Sequence, residues 1–272
     1  EARARYRYGD FQGFLKTFAW VNGFLTSPSH FALAARRLFE AQAVEGVRYA
    51  EINLSVGVML WRGLEPGPFI EAVLEAGRSA PFPVRWIFDA VRQFPVDDAW
   101  TVARLAAQYR HQGVAAFGLG GDEKRGPAGL FADVFRFARD QGLKLAPHAG
   151  EVDGPESVWS ALALGADRIG HGVRAIEDRR LVEHLAQRQI PLEISISSNV
   201  ATGAVPGVES HPAKRLFDAG VPIILNTDDP PMFGTTLCGE YELAANRLGF
   251  ARAELERVAA NGFRCAFAPE AA

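Results

Sequence analysis

Short apolar runs alternate with amphipathic stretches along most of this chain. Near the amino end, Phe11, Phe14, Leu15, Phe18, Val21 and Leu25 recur every three or four residues. That spacing predicts a helix or helix pair over 10–25, read as a packed flap or core helix rather than a dedicated substrate lid. Ser27-Pro28 is a helix start, with Ser27 as N-cap and Pro28 in the first turn. That helix runs through Phe31, Ala35, Leu38 and Phe39 and ends at Gly46. From there the pattern predicts strands at 47–54, 83–91, 114–120, 143–147, 166–170, 190–196 and 221–226. Between them it predicts helices at 65–76, 97–112, 127–141, 155–164, 178–188 and 212–218, and a last helical region from 237 to about 267.

Strands that are apolar on both faces and separated by helices imply a parallel sheet, hence the α/β class. The expected fold is a (β/α)8 TIM-type barrel. Eight strands are required and seven are visible, so the first strand is expected to be missing from this chain. A doubly wound open sheet is the rival, but no Gly-rich phosphate fingerprint follows an early strand.

Composition adds limits. The chain has 272 residues, 48% hydrophobic, enough for one large core, and it is read as a single domain over 1–272. Net charge is −3 and the pI is near 6.1, so no basic excess points to nucleic acid or an anionic membrane. Cys238 and Cys265 lack zinc-like spacing and suggest no disulfide framework. A cytoplasmic location is the expectation: residues 1–8 are charged and lack the apolar core of a signal peptide. No apolar run reaches the length of a membrane span.

The chemistry gathers at strand ends. The run Lys144-Leu-Ala-Pro-His-Ala-Gly-Glu151 puts an imidazole and a carboxylate where a strand opens into a loop. Arg168-Ile-Gly-His-Gly172 and Ile223-Ile-Leu-Asn-Thr-Asp-Asp-Pro230 repeat the arrangement. His148, Glu151, His171, Asp228 and Asp229 are therefore candidates for one site. A barrel builds such a site at the carboxyl ends of its strands. Neutral imidazole and carboxylate are metal ligands, and zinc lowers the pKa of a bound water to about 7. Carboxylic acid and imidazole groups beside it can move protons. Asp228-Asp229-Pro-Pro also suits a turn, and the sequence leaves turn and site equally open. Thr227 and Ser197-Ser198-Asn199 are candidates to support the ligands, though Asn199 could simply cap a loop. Gly118-Leu-Gly-Gly-Asp-Glu123, taken alone, is a glycine turn.

Taken together, His148-Ala-Gly-Glu151, Arg168-Ile-Gly-His-Gly172, Ser197-Ser-Asn-Val-Ala-Thr-Gly203, Leu225-Asn-Thr-Asp-Asp-Pro230 and Met232-Phe-Gly-Thr-Thr236 resemble the adenosine deaminase family of the amidohydrolase superfamily. The similarity runs from about Phe11 to Phe267. It implies a zinc-dependent barrel that hydrolyses the 6-amino group of an adenine nucleoside and releases ammonia. By that resemblance His148 and Asp228 are zinc ligands. Glu151 gives a proton to purine N1, and His171 orients and helps deprotonate the zinc-bound water. Asp229 contacts N7, and the backbone of Gly121 contacts the base near N3.

Two departures bear on this. The family carries a His-x-His pair on its first strand, and none of His30, His111, His148, His171, His184 and His211 are so spaced. The pair belongs on the strand missing from the count, so an absent amino-terminal segment is expected rather than a natural zinc-free relative. In addition, Ile194-Ser-Ile-Ser-Ser198, and Asn53 with the segment Ser55-Val-Gly-Val-Met-Leu-Trp61, differ from the family's usual runs. An adenosine-type nucleoside leads as substrate. Aminodeoxyfutalosine of menaquinone synthesis follows, then free adenine. A metal-free nucleoside-binding relative and a phosphate-binding or hydrolytic barrel of another branch are the competing classes. The sequence gives no oligomeric state.

Overall fold

Apolar residues predominate in the strands, as a sheet buried on both faces requires. The computed structural model of the protein describes residues 2–268. Among these the strands are β1 Ala50–Leu54, β2 Val84–Val91, β3 Val114–Gly120, β4 Lys144–Ala149, β5 Ile169–His171, β6 Leu192–Ile194 and β7 Ile223–Leu225. Strand order is chain order and every neighbouring pair is parallel. This is the order of a (β/α)8 barrel with seven strands among the described residues. No described helix is long and apolar enough to cross a membrane.

The chain divides into two compact units. One comprises Val21–Pro147 with Phe267 and Ala268. Its β1 pairs with β2 from Ala50↔Val84 to Leu54↔Phe88. The β2–β3 register shifts between Trp86 and Ile87. Ile87, Ala116 and Ala146 cluster on adjacent strands, with Phe267 packed against them. The helix Pro28–Val44 starts as its sequence demands, with Ser27 Oγ accepting from the His30 amide at 3.4 Å. Gly118 has a packing reason: a Cβ there would lie 1.8 Å from Asp89 Oδ1, so its bare backbone makes room for the buried Asp89 carboxylate.

The other unit comprises the described residues up to Trp20 and His148–Ala266. His148 and Ala149 pair with Gly170 and His171, and β6 pairs with β7 from Leu192↔Ile223 to Ile194↔Leu225. Val158, Ile169, Leu181, Leu192 and Ile223 form the centre of its core. The aromatic helix is Phe11–Asn22. Its Phe14 stacks on Phe233 at 5.1 Å and meets Tyr8 edge-on at 5.4 Å. Tyr8 also packs edge-on against Phe233, and its hydroxyl donates to the Met232 carbonyl at 2.8 Å. The helix is thus pinned to the turn Pro230–Phe233, directly after Asp229.

Several boundaries differ from expectation for local reasons. The strand expected over 190–196 stops at Ile194, because a helix, Ile196–Ala201, opens there. The helical region from 237 is two helices, Leu237–Leu248 and Arg252–Arg264. Gly249, at φ 75°, ends the first in the left-handed region that glycine tolerates. A helix at Val56–Trp61 follows β1 where the sequence pattern predicted none.

Candidate active site

His148 lies near the end of β4 and His171 at the end of β5. Their rings are 5.3 Å apart and tilted by 43°. The glycines of the two motifs make this approach possible. A Cβ on Gly170 would fall 3.0 to 3.2 Å from Cδ2, Cγ and Cα of His148, so His148 rests against bare backbone. Gly150 carries the chain out of β4 at φ 67°, which brings Glu151 round. Arg168, in the same motif as His171, does something different. It is buried, pairs with Glu193 at 2.6 Å, and donates to the Cys265 carbonyl at 2.8 Å.

Glu151 and His171 come together: Oε2 of Glu151 is 3.6 Å from Nε2 of His171, and both residues are buried. That separation is long for a direct hydrogen bond but short for electrostatic coupling. Thr202 Oγ1 is 3.2 Å from Glu151 Oε1 and 3.0 Å from the Ser198 carbonyl. The hydroxyl has one proton, so it either donates to the carboxylate or donates to Ser198 and accepts from a protonated Glu151. The arrangement accommodates both forms of the acid.

His171 and Asp228 are non-glycine residues with positive φ, 61° and 54°. Strain of about 1–3 kcal/mol each is characteristic of residues held for function. A third, Gln189, caps the helix Arg179–Arg188, so the conformation alone does not mark a site. Ser198 Oγ donates to Asp228 Oδ2 at 2.6 Å and fixes that carboxylate. Asp229 keeps part of its residue surface at solvent, but its carboxyl is pushed well above the usual carboxylate range. Burial is the largest cause, followed by the charges of Asp228 and Glu151. The shift favours the protonated form, which can donate a hydrogen bond. Tyr8 is pushed up to about 12 by burial first, then by Tyr6 and Asp229.

Asn199 does not cap a loop. It is fully buried in the helix Ile196–Ala201, with its amide between two imidazoles. Nδ2 is 3.0 Å from His171 Nδ1, and Oδ1 is 3.2 Å from His211 Nε2. His211 carries no site signal in the sequence beyond being one of six histidines; only the fold brings it here. Further out, Glu240 is fully buried and accepts from Thr235 Oγ1 at 2.6 Å and the Ser197 amide at 3.2 Å. The bond to Glu240 accounts for Thr235, while Thr236 caps the helix Leu237–Leu248, its hydroxyl accepting from the Gly239 amide at 3.0 Å.

A metal was expected on His148 and Asp228. Both fit a divalent ion in kind, as imidazole and carboxylate. Among the described residues, however, no group of three or more His, Cys, Asp or Glu side chains is placed to hold one. The two therefore fall short in number of the three protein ligands a catalytic zinc takes.

Gly121 belongs to the unit that holds β1 to β3. It sits past β3 at φ 92°, and a Cβ there would meet Gln93 Oε1 at 2.3 Å. Gln93 Oε1 also accepts from the Asp122 amide at 2.9 Å, which fixes the turn. Asp122 and Glu123 beside it are buried.

Comparison with known proteins identifies the family. The adenosine deaminase family model matches residues 2–272. The aminodeoxyfutalosine deaminase of Streptomyces coelicolor is 38% identical over 269 residues, covering 96% of this chain and 70% of that protein. Among solved structures, the adenine deaminase from Arthrobacter aurescens matches with a TM-score of 0.91 at 28% identity, covering 98% of this chain and 83% of that one. An amidohydrolase from Burkholderia ambifaria with bound Zn matches at 0.84 with 26% identity, covering 90% of this chain and 70% of that one. With its strand order, its motifs and these relatives in agreement, the chain belongs to the adenosine deaminase family and is a hydrolytic deaminase of adenine-type compounds.

Proposed function

We propose that the chain deaminates the 6-amino group of an adenine ring carried by a nucleoside, adding water at C6 and releasing ammonia. The observation that carries this reading is the pairing of a buried acid–imidazole couple, Glu151 and His171, beside an Asp229 carboxyl whose pKa is raised by burial and by its acidic neighbours. Attack at C6 pushes electrons onto N1. Glu151 supplies the proton that quenches this charge, with Thr202 able to hold its carboxyl in either form. Asp229, protonated, donates to an acceptor such as N7, which fixes the ring in its plane. His171 orients the attacking water beside Glu151. His148 and Asp228 would be two of the ligands of a divalent metal, zinc by the family's chemistry, which takes at least one protein ligand more. Such an ion would make hydroxide available near neutral pH.

Aminodeoxyfutalosine is the second reading for the substrate. The Streptomyces relative supports it. So does the departure at 194–198, where a helix opens directly after β6. Adenosine, aminodeoxyfutalosine and free adenine, assayed side by side by loss of adenine absorbance, separate these readings. Turnover of one or more, lost in Glu151→Gln while the melting temperature is kept, is the expected result. Turnover retained by Glu151→Gln, or none of the three consumed, would overturn the proposal.

A further inference from the structure

The hydrogen bonds behind His171 form a directed chain. It begins at the Ala213 amide, 3.2 Å from His211 Nδ1. A backbone amide only donates, so Nδ1 of His211 accepts and carries no proton. The proton of this imidazole is then on Nε2, which donates to Asn199 Oδ1 at 3.2 Å. With its oxygen engaged, Asn199 turns its NH2 group to His171 Nδ1 at 3.0 Å. Nδ1 of His171 must accept, and the ring's proton is placed on Nε2, the atom that faces Glu151 at 3.6 Å. His211, Asn199 and His171 are each 4% exposed or less, so water does not replace these bonds. Burial, and to a lesser extent His171, lowers the pKa of His211 to about 4, which keeps it neutral at physiological pH.

We propose that His211 and Asn199 are positioning residues for His171: they fix its tautomer and turn its Nε2–H into the site. This inference rests on the deaminase reading of the site. It refines the part His171 plays there. An imidazole that presents N–H gives a hydrogen bond to the oxygen of the attacking water and does not take its proton. The water's proton goes instead to the Glu151 carboxylate as the oxygen lone pair bonds to C6. Glu151 then passes that proton to N1.

The test is Asn199→Asp, close to isosteric. A carboxylate accepts from both imidazoles, so it moves the His171 proton to Nδ1 and leaves Nε2 facing Glu151 as acceptor against acceptor. Imidazole ¹⁵N shifts, assigned with His171→Asn, read the tautomer directly. In the unsubstituted protein they should show protonated Nε2 and bare Nδ1, reversed in Asn199→Asp. Turnover should fall by about 10- to 100-fold, the size of loss seen when the partner orienting a metal-binding histidine is removed, with KM little changed. His211→Gln keeps a donor to Asn199 and should stay near the parent activity. His211→Leu, similar in volume, should lose activity as Asn199→Asp does. A proton on Nδ1 of His171 in the unsubstituted protein overturns the proposal, as does an Asn199→Asp protein whose His171 shifts reverse while kcat is unchanged. The tautomer is measured without substrate. Failure of all three adenine compounds to react would therefore count against the deaminase reading and leave this measurement intact.

Discussion

Acid should destabilise this protein in a pH window set by His211. Its pKa is about 4 in the fold against an ordinary 6.5, because it is buried. The folded value lies below the unfolded one. Between them the unfolded chain binds a proton that the folded chain refuses, so stability falls as pH falls. Each pH step inside the window costs up to about 1.4 kcal/mol, which sums to about 3 kcal/mol by pH 4. From pH 7 to pH 5.5 the loss is about 1 kcal/mol, worth roughly 3 °C of melting temperature in a chain this size. Other groups titrate as well, so the comparison is with His211→Gln, which has no proton to bind. Melting curves of both proteins at half-unit steps from pH 7.5 to 5 should converge, the substituted protein losing about 3 °C less than the parent by pH 5.5. Parallel curves would refute the reasoning, because His211 would then titrate alike in both states.

The raised carboxyl of Asp229 has the opposite sign. What it adds to stability is fully present below the ordinary value of 3.8 and is lost as pH rises, so Asp229→Asn should raise the melting temperature at pH 7, less so in acid, while deamination is impaired. Scanning fluorimetry beside the absorbance assay checks both halves. Gly170→Ala forces a methyl against His148, including its Cα, and should cost about 1–3 kcal/mol with a clear fall in kcat. A chemical melt of unchanged midpoint would contradict that packing. Phe14→Ala removes the ring stacked on Phe233, beside the turn that follows Asp229. A loss of about 3 kcal/mol is expected, with KM rising more than kcat falls, and an unchanged KM would separate the helix from substrate binding.

Much of the fold was legible because strands buried on both faces are written as continuous apolar runs. β3 matches its expected span of 114–120, and β2 differs from 83–91 by one residue. The shorter strands were overestimated. Ala166 to Arg168 read as strand, but pairing occupies only Ile169–His171. Likewise the apolar alternation of Leu192, Ile194 and Ile196 carries the expected β6 to 196, yet the backbone N–H of Asn199 donates to the Ser195 carbonyl at 2.9 Å and the chain turns helical. Apolar runs report burial, and burial does not distinguish a strand's last residue from a helix's first.

What the sequence determined by itself is the alternation of strands and helices, the strand-end position of His148, His171 and Asp228-Asp229, and the family resemblance of their motifs. These are short-range properties, set by spacing and residue type. The tertiary structure alone decided which groups meet. The 3.6 Å between Glu151 and His171, the raised carboxyl pKa of Asp229 and the bridge from His211 through Asn199 join residues from different strand ends and helices. No spacing in the chain encodes them, because a hydrogen bond or a desolvation cost depends on distance in space, and only packing of the core sets that distance.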